Sequence, residues 1–191
     1  MSSANRGCKR RTNDAYYTPD KLADALVGCI EPYFSEDDTF LEPHAGGGAF
    51  VRALNKRSCY VEAIDINPDV GHATLMDGAN SFLQADYLHT DVDAWYHWII
   101  GNPPFQNAMD HVMHSFDQLS ADGNLCFLLR LAFLESKKRA AFWKEHPAHK
   151  IWVLSERPSF TGGKTDSCAY GFFWWTKTPV NYTQLEVLSW K

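Results

Sequence analysis

No stretch of the 191 residues is apolar for long enough to cross a bilayer as a helix. The first residues are polar and basic with no apolar run behind them, which is not the pattern of a secretory signal. Cysteine is sparse: five residues, Cys8, Cys29, Cys59, Cys126 and Cys168, stand far apart, and neither a paired metal-binding spacing nor an even disulfide framework results. Scattered, odd-numbered thiols suit a reducing compartment, so a cytoplasmic chain is expected. His111 and His114 sit one helical turn apart, but no third metal ligand stands out beside them. Internal repeats and low-complexity linkers are missing too. Positive charge is not in excess either: the formal net charge is −5, which speaks against tight polyanion binding by the body of the protein.

What charge there is lies unevenly. Arg6, Lys9, Arg10 and Arg11 cluster at the start, and Lys137, Lys138 and Arg139 form a second group. Such runs are usually solvated faces and less often phosphate contacts. The composition, 45% hydrophobic and 21% charged, is that of a globular domain. The length suits one α/β domain with a sizeable core. The expected organisation is a flexible basic segment over residues 1–15 and a single domain over 16–191, without a separate recognition domain.

The chain reads as alternating strands and helices. Thr18-Pro19 looks like a helix start, with threonine as cap and proline in the first turn; Leu22, Ala25, Leu26 and Ile30 follow at helical spacing. Strands are expected at Thr39–Leu41, Tyr60–Ile66, Phe82–Gln84, Tyr96–Ile100, Leu125–Leu131, Ile151–Leu154 and Tyr170–Trp175. Asp122-Gly123 reads as a turn, and Ser136 to His146 as a helix. Such alternation implies a mainly parallel sheet covered on both faces.

In these sheets ligands bind beyond the carboxyl ends of the strands. The notable polar residues fall at that edge: Glu42 after the first strand, Asp65 after the second, Asp86 after the third and Asn102 after the fourth. Glu42-Pro43-His44-Ala45-Gly46-Gly47-Gly48 is a glycine-rich turn between strand and helix, where backbone amides can approach a ligand, although glycines also make plain turns. Asp65, about twenty residues on, suits two ribose hydroxyls or a helix cap. Asn102-Pro103-Pro104-Phe105 is more distinctive. Two successive prolines deny the backbone two donors and forbid helix. The amide oxygen of Asn102 and the carbonyl of Pro103 could hold an amino group, with Phe105 as a flat stacking face. A rigid connection with a buried phenylalanine fits the same residues.

The order Tyr17-Thr18-Pro19, Glu42-Pro43…Gly46-Gly47-Gly48, Asp65, Asp86 and Asn102-Pro103-Pro104-Phe105 resembles the amino-methylating DNA adenine methyltransferases in their gamma-type arrangement. The stretches Arg130 to Glu135 and Arg157 to Asp166 look like small phage and prophage members. The resemblance covers about residues 13 to 176. It implies a Rossmann-like class I methyltransferase fold, with a seven-stranded, mainly parallel sheet whose last core strand is antiparallel. It implies S-adenosylmethionine as cofactor, with S-adenosylhomocysteine as product. The implied cofactor-binding residues are Tyr17, Thr18 and Pro19 near the methionine end, Glu42, Pro43, Ala45 and Gly46 of the glycine loop, Asp65 with Ile66 at the ribose, and Asp86 with Tyr87 at the adenine. Asn102, Pro103, Pro104 and Phe105 would hold a target adenine flipped out of DNA, with Phe160 packing on it from the other side. No metal is implied, and the setting would be a bacterial or phage-infected cell. Rival readings are an RNA or ribosomal-RNA amino methyltransferase, methylation of a protein glutamine (where a tyrosine usually replaces Phe105), and a non-enzymatic binder that kept the fold.

Overall fold

Residues 17–91, 95–160, 165–178 and 180–191 are described in the computed structural model. The basic cluster Arg6, Lys9, Arg10 and Arg11 and residues 161–164 of the Arg157 to Asp166 stretch lie outside these residues.

Eight strands form one sheet: β1 (Thr39–Glu42), β2 (Tyr60–Asp65), β3 (Ser81–Gln84), β4 (Tyr96–Gly101), β5 (Leu119–Arg130), β6 (Lys150–Leu154), β7 (Tyr170–Thr176) and β8 (Gln184–Leu188). Their spatial order is β3-β2-β1-β4-β5-β7-β6-β8. β7 runs antiparallel to β5 and β6, and every other pairing is parallel. The helices are α1 (Asp20–Ile30), α2 (Ala49–Asn55), α3 (Gly71–Met76), α4 (Ala108–Gln118) and α5 (Ala140–Glu145).

The central strands are apolar on both faces because both faces are covered. Along β7, Phe172 and Trp174 enter one hydrophobic layer with Leu22, Leu26 and Ile30 of α1 and Val51 and Leu54 of α2. Phe173 and Trp175 enter the other, with Val112 of α4 and Phe142 of α5. From β1 the chain adds β2 and β3 on one side; from β4 it builds the other. Strand order therefore reverses between β1 and β4, and a crevice opens there at the carboxyl ends.

Four expectations change. The sheet has eight strands rather than seven, because β8 adds to the edge beside β6. Four of its five residues are exposed, so it has no buried face to mark it in the sequence. Thr18 is not the cap of α1: Pro19 occupies that position without a side-chain bond, and the Thr18 hydroxyl is engaged elsewhere. Asp122 and Gly123 lie inside β5, whose early start at Leu119 pairs with Tyr96 across a register shift. The helix expected from Ser136 is a 3₁₀ turn at Lys137–Arg139 followed by α5. The Arg139 guanidinium binds the carbonyls of Ala132, Phe133 and Glu135, so this part of the basic run is structural. Among the described residues no helix is long and apolar enough to cross a membrane.

Candidate functional site

The glycine loop folds back on the sheet edge. Ala45 N donates to Ile64 O at 2.9 Å, which ties the loop to β2. Gly48 caps α2 with φ +74°, a left-handed conformation that favours glycine, and a Cβ there would also displace the Asp77 carboxylate. The Tyr17 ring lies over Gly46 and Gly47, 3.2 Å from where a Cβ of Gly46 would stand. Tyr17, Thr18, His44, Ala45, Gly46 and Asn102 line a cleft with about 250 Å³ of open space. Four of the expected cofactor residues and the expected catalytic asparagine thus share one cleft.

The three carboxylates divide by environment. Asp65 ends β2 and straps the loop: Oδ2 accepts Gly46 N at 2.7 Å and Oδ1 accepts Asn67 N at 2.8 Å. Its neighbour Ile66 is half exposed. Asp86 is part-exposed at the next strand end, accepting Leu88 N and paired with His89, and its carboxyl is held below the usual range by those bonds against the opposing effect of burial. Glu42 is different. It is 1% exposed, and burial pushes its carboxyl well above the usual range, with Asp65 nearby adding to the rise and the His44 amide opposing it. Its Oε1 accepts His44 N and abuts Gly101, where a Cβ would sit 2.4 Å away. Glu42 therefore braces the glycine loop against the end of β4 from below the cleft. Pro43 is buried beside it. The ring of Tyr87 is 2% exposed, stacked on His111 and bonded to Ser115, so it is a core group and does not reach the cleft.

Asn102 follows β4 directly. Its Nδ2 donates to Thr18 Oγ1 at 3.1 Å, joining the Tyr17-Thr18-Pro19 arm to the proline motif. Pro103 is buried, and Pro104, at φ −53° and ψ 120°, turns the chain into a 3₁₀ turn from Phe105 to Asn107 before α4. Phe105 packs against Tyr170 (centroids 5.3 Å) and Phe160 (6.1 Å), with the Arg130 guanidinium 4.9 Å from its ring centre. Phe160 is 5% exposed and meets Phe105 at 62°, edge to face. A base held between two rings needs parallel faces about 7 Å apart, twice a van der Waals contact. Phe160 here backs Phe105 and does not face it across a slot.

Sequence reasoning missed two groups. The ring of His44 turns under the cleft and pairs with His111, Nε2 to Nδ1 at 2.9 Å, while His114 bonds Thr90 O. The Nδ1 of His44 is buried and finds no hydrogen-bond partner among the described residues. Burial holds both imidazoles neutral, His111 at about 4 and His44 well below its usual value. Their separation by 67 residues left no local signal. The second group is Arg130 with Tyr170 and Asp166, joined only where β5 meets β7. Among the described residues no group of three or more His, Cys, Asp or Glu is placed to hold a metal.

No family model matches the chain. It is 24% identical over 123 residues to the type II methyltransferase M.CvrRI of Paramecium bursaria Chlorella virus XZ-6E, covering 62% of this chain and 31% of the relative. The chain thus spans about a third of the length of the curated relative it matches. Among solved structures, it resembles a Listeria monocytogenes protein assigned to the class I S-adenosylmethionine-dependent methyltransferases (TM-score 0.73, 15% identity, 96% of this chain and 68% of that one). It also resembles the M protein of the type I restriction enzyme EcoKI (TM-score 0.73, 15% identity, 91% and 48%). A Pyrococcus horikoshii protein classed as an RNA methyltransferase matches similarly (TM-score 0.72, 12% identity, 91% and 94%). The fold is that of the class I methyltransferases; the neighbours extend from a restriction-enzyme subunit to a protein classed as an RNA methyltransferase and a ribosomal protein L11 methylase, so the substrate has to be argued from the site.

Proposed function

We propose that the protein transfers a methyl group from S-adenosylmethionine to the N6 amino group of adenine in DNA, on a base flipped out of the duplex. The observation that carries this reading is the bond between Asn102 and Thr18, which sets the proline motif against the glycine-loop cleft. The cleft suits the cofactor. The glycines of the loop let its backbone pass close under the Tyr17 ring, and carboxylates stand at two successive strand ends beside it, Asp65 for ribose hydroxyls and Asp86 for an adenine amino group. When bound, the cofactor supplies an electrophilic methyl on a sulfonium.

The residues of the chain then have to make an unreactive nitrogen attack. The lone pair of an adenine amino group is delocalised into its ring. Asn102 Oδ1 and the carbonyl of Pro103 accept its two hydrogens, which favours a pyramidal nitrogen and localises the lone pair. Bound in the cleft, S-adenosylmethionine would supply the methyl carbon and leave as S-adenosylhomocysteine, and the proton lost by the nitrogen would pass to water. Positioning supplies much of the rate. Flipping costs a few kcal/mol, and stacking on Phe105 offsets roughly 1–3 kcal/mol of it, by analogy with single-strand binders.

The test is radiolabelled methyl transfer to duplex DNA, structured RNA and a glutamine peptide side by side, with digestion of the DNA to nucleosides. Labelled N6-methyl-2′-deoxyadenosine from the DNA is the expected result. Label in RNA or peptide alone overturns the DNA reading while leaving the fold and the cleft in place; cofactor binding with no transfer favours a binder.

A further inference from the structure

Arg130 stands where β5 ends against the start of β7, on the side of Asn102 away from the carboxylate-bearing strands β1 and β2. Its Nε donates to Tyr170 Oη at 3.4 Å; the fully buried Tyr170 donates in turn to Asp166 Oδ2 at 2.8 Å, and Asp166 Oδ1 accepts Cys168 N. Its guanidinium lies 4.9 Å from the centre of Phe105. The position is therefore fixed from two sides, by a hydrogen-bonded chain and by a ring.

Its remaining donors set Arg130 apart. The other part-buried arginines all have acceptors at their terminal nitrogens: Arg52 on Asp20 and Asp77, Arg57 on Asp24 and Ala53 O, Arg139 on Ala132 O and Glu135 O. The terminal nitrogens of Arg130 donate to no described residue, and the side chain is part-exposed. A guanidinium keeps its charge at any working pH, and its fork of donors matches a phosphate. A part-buried cation held in place with its fork unused is arranged for an incoming anion. The sulfonium cofactor belongs to the glycine-loop side of Asn102, whereas Arg130 lies over Phe105, the ring proposed to receive the target base.

We propose that Arg130 binds a phosphate flanking the flipped adenosine, holding the extruded nucleotide while Phe105 receives its base. This rests on the reading of the protein as a DNA adenine methyltransferase and adds to it a phosphate contact from the body of the protein.

The experiment measures kcat/KM for methyl transfer to mixed-sequence duplex DNA from roughly 50 to 200 mM KCl. The wild-type arm is read first: no transfer to DNA overturns both this proposal and the reading it rests on. With transfer established, Arg130→Gln should lower kcat/KM by roughly 10- to 100-fold, the scale of a lost charge-assisted hydrogen bond. It should reduce the magnitude of the log–log salt slope by about one. Arg130→Lys should keep the slope, and S-adenosylhomocysteine affinity should not change in either variant. A DNA pool with neutral methylphosphonate at every adenosine checks the same contact on wild-type protein, independent of any variant's folding. It should depress the wild type to about the level of Arg130→Gln and depress that variant little further. If Arg130→Gln loses only kcat, with an unchanged slope and undiminished sensitivity to methylphosphonate, Arg130 merely braces Phe105 and the proposal fails while the methyltransferase reading stands.

Discussion

Asn102 and Thr18, 84 residues apart, are joined by a 3.1 Å hydrogen bond from amide to hydroxyl. The bond fixes which end of the Asn102 amide is engaged by the arm; in the proposed function Oδ1 is then the end that receives the substrate's amino group. It also explains why Thr18 leaves the cap of α1 to Pro19. One residue that looks like helix punctuation in the sequence is an orienting group for the residue expected to do the chemistry.

Asn102→Ala should lower kcat by at least about 100-fold, the scale of losing one hydrogen bond that matters most in the transition state. Calorimetry with S-adenosylhomocysteine should give nearly the wild-type affinity. Thr18→Val should act more gently, costing kcat roughly five- to tenfold, as expected for one neutral hydrogen bond of about 1 kcal/mol. A Thr18→Val enzyme as inactive as Asn102→Ala would show that the hydroxyl does more than orient.

Asp65 holds two backbone amides, one in the glycine loop, before any ligand arrives. Asp65→Ala should therefore weaken cofactor binding strongly and also lower Tm, because two amides lose their acceptor. Asp65→Asn keeps one acceptor oxygen and should recover part of the Tm with less of the affinity. Calorimetry and thermal melts on the two variants separate strap from ligand; unchanged affinity in Asp65→Ala would remove the residue from the site.

The His44–His111 pair should make the fold sensitive to acid. In the unfolded chain a histidine takes its proton near pH 6.5, whereas burial holds His111 to about 4 in the fold. The contribution is intact above about pH 6.5 and is lost as pH falls toward 4, on the order of 3 kcal/mol for His111 alone. Paired His44→Phe and His111→Phe changes keep two rings in place and remove both titrations. Urea melts between about pH 7 and pH 4.5 should then show a flatter profile than wild type; parallel profiles would rule the pair out as the acid-labile element.

Glu42 works in the opposite direction. Burial raises its carboxyl in the fold, so the unfolded chain ionises first, near pH 4.3. Its contribution is present below that pH and lost as pH climbs toward the folded value. Glu42→Gln retains an acceptor for the His44 amide without a charge to bury. Its Tm should exceed that of wild type at about pH 8, with the gap closing toward pH 4. A constant gap would mean that Glu42 is not the titrating group.

Sequence and structure part company at identifiable residues. Seven strand positions were legible because buried strands write themselves as runs such as Tyr170 to Trp175, and the candidate site's edge was legible because Glu42 and Asp65 end strands while Asp86 and Asn102 follow within two residues of one. β8 was not, since most of its residues are exposed on the sheet edge and carry no burial pattern. Nor were the continuation of β5 through Asp122-Gly123, or the placing of Tyr87 in the core, because pairing partners and burial are supplied by distant segments.

The sequence alone determined the α/β alternation, the order of the motifs and the residue types at the carboxyl edge, all of which follow from local periodicity and from the special backbone chemistry of glycine and proline. Which side chains face a ligand and which hold the site up was decided by the tertiary structure. Glu42 and Asp65 are both carboxylates at strand ends, yet one is buried as a brace and the other stays in partial contact with solvent. His44 finds His111, Thr18 finds Asn102, and Arg130 meets Phe105 and Tyr170 only once the sheet has brought β1, β4, β5 and β7 side by side. A hydrogen bond or a ring contact depends on distances of a few ångströms between groups many residues apart, and sequence spacing does not encode those distances.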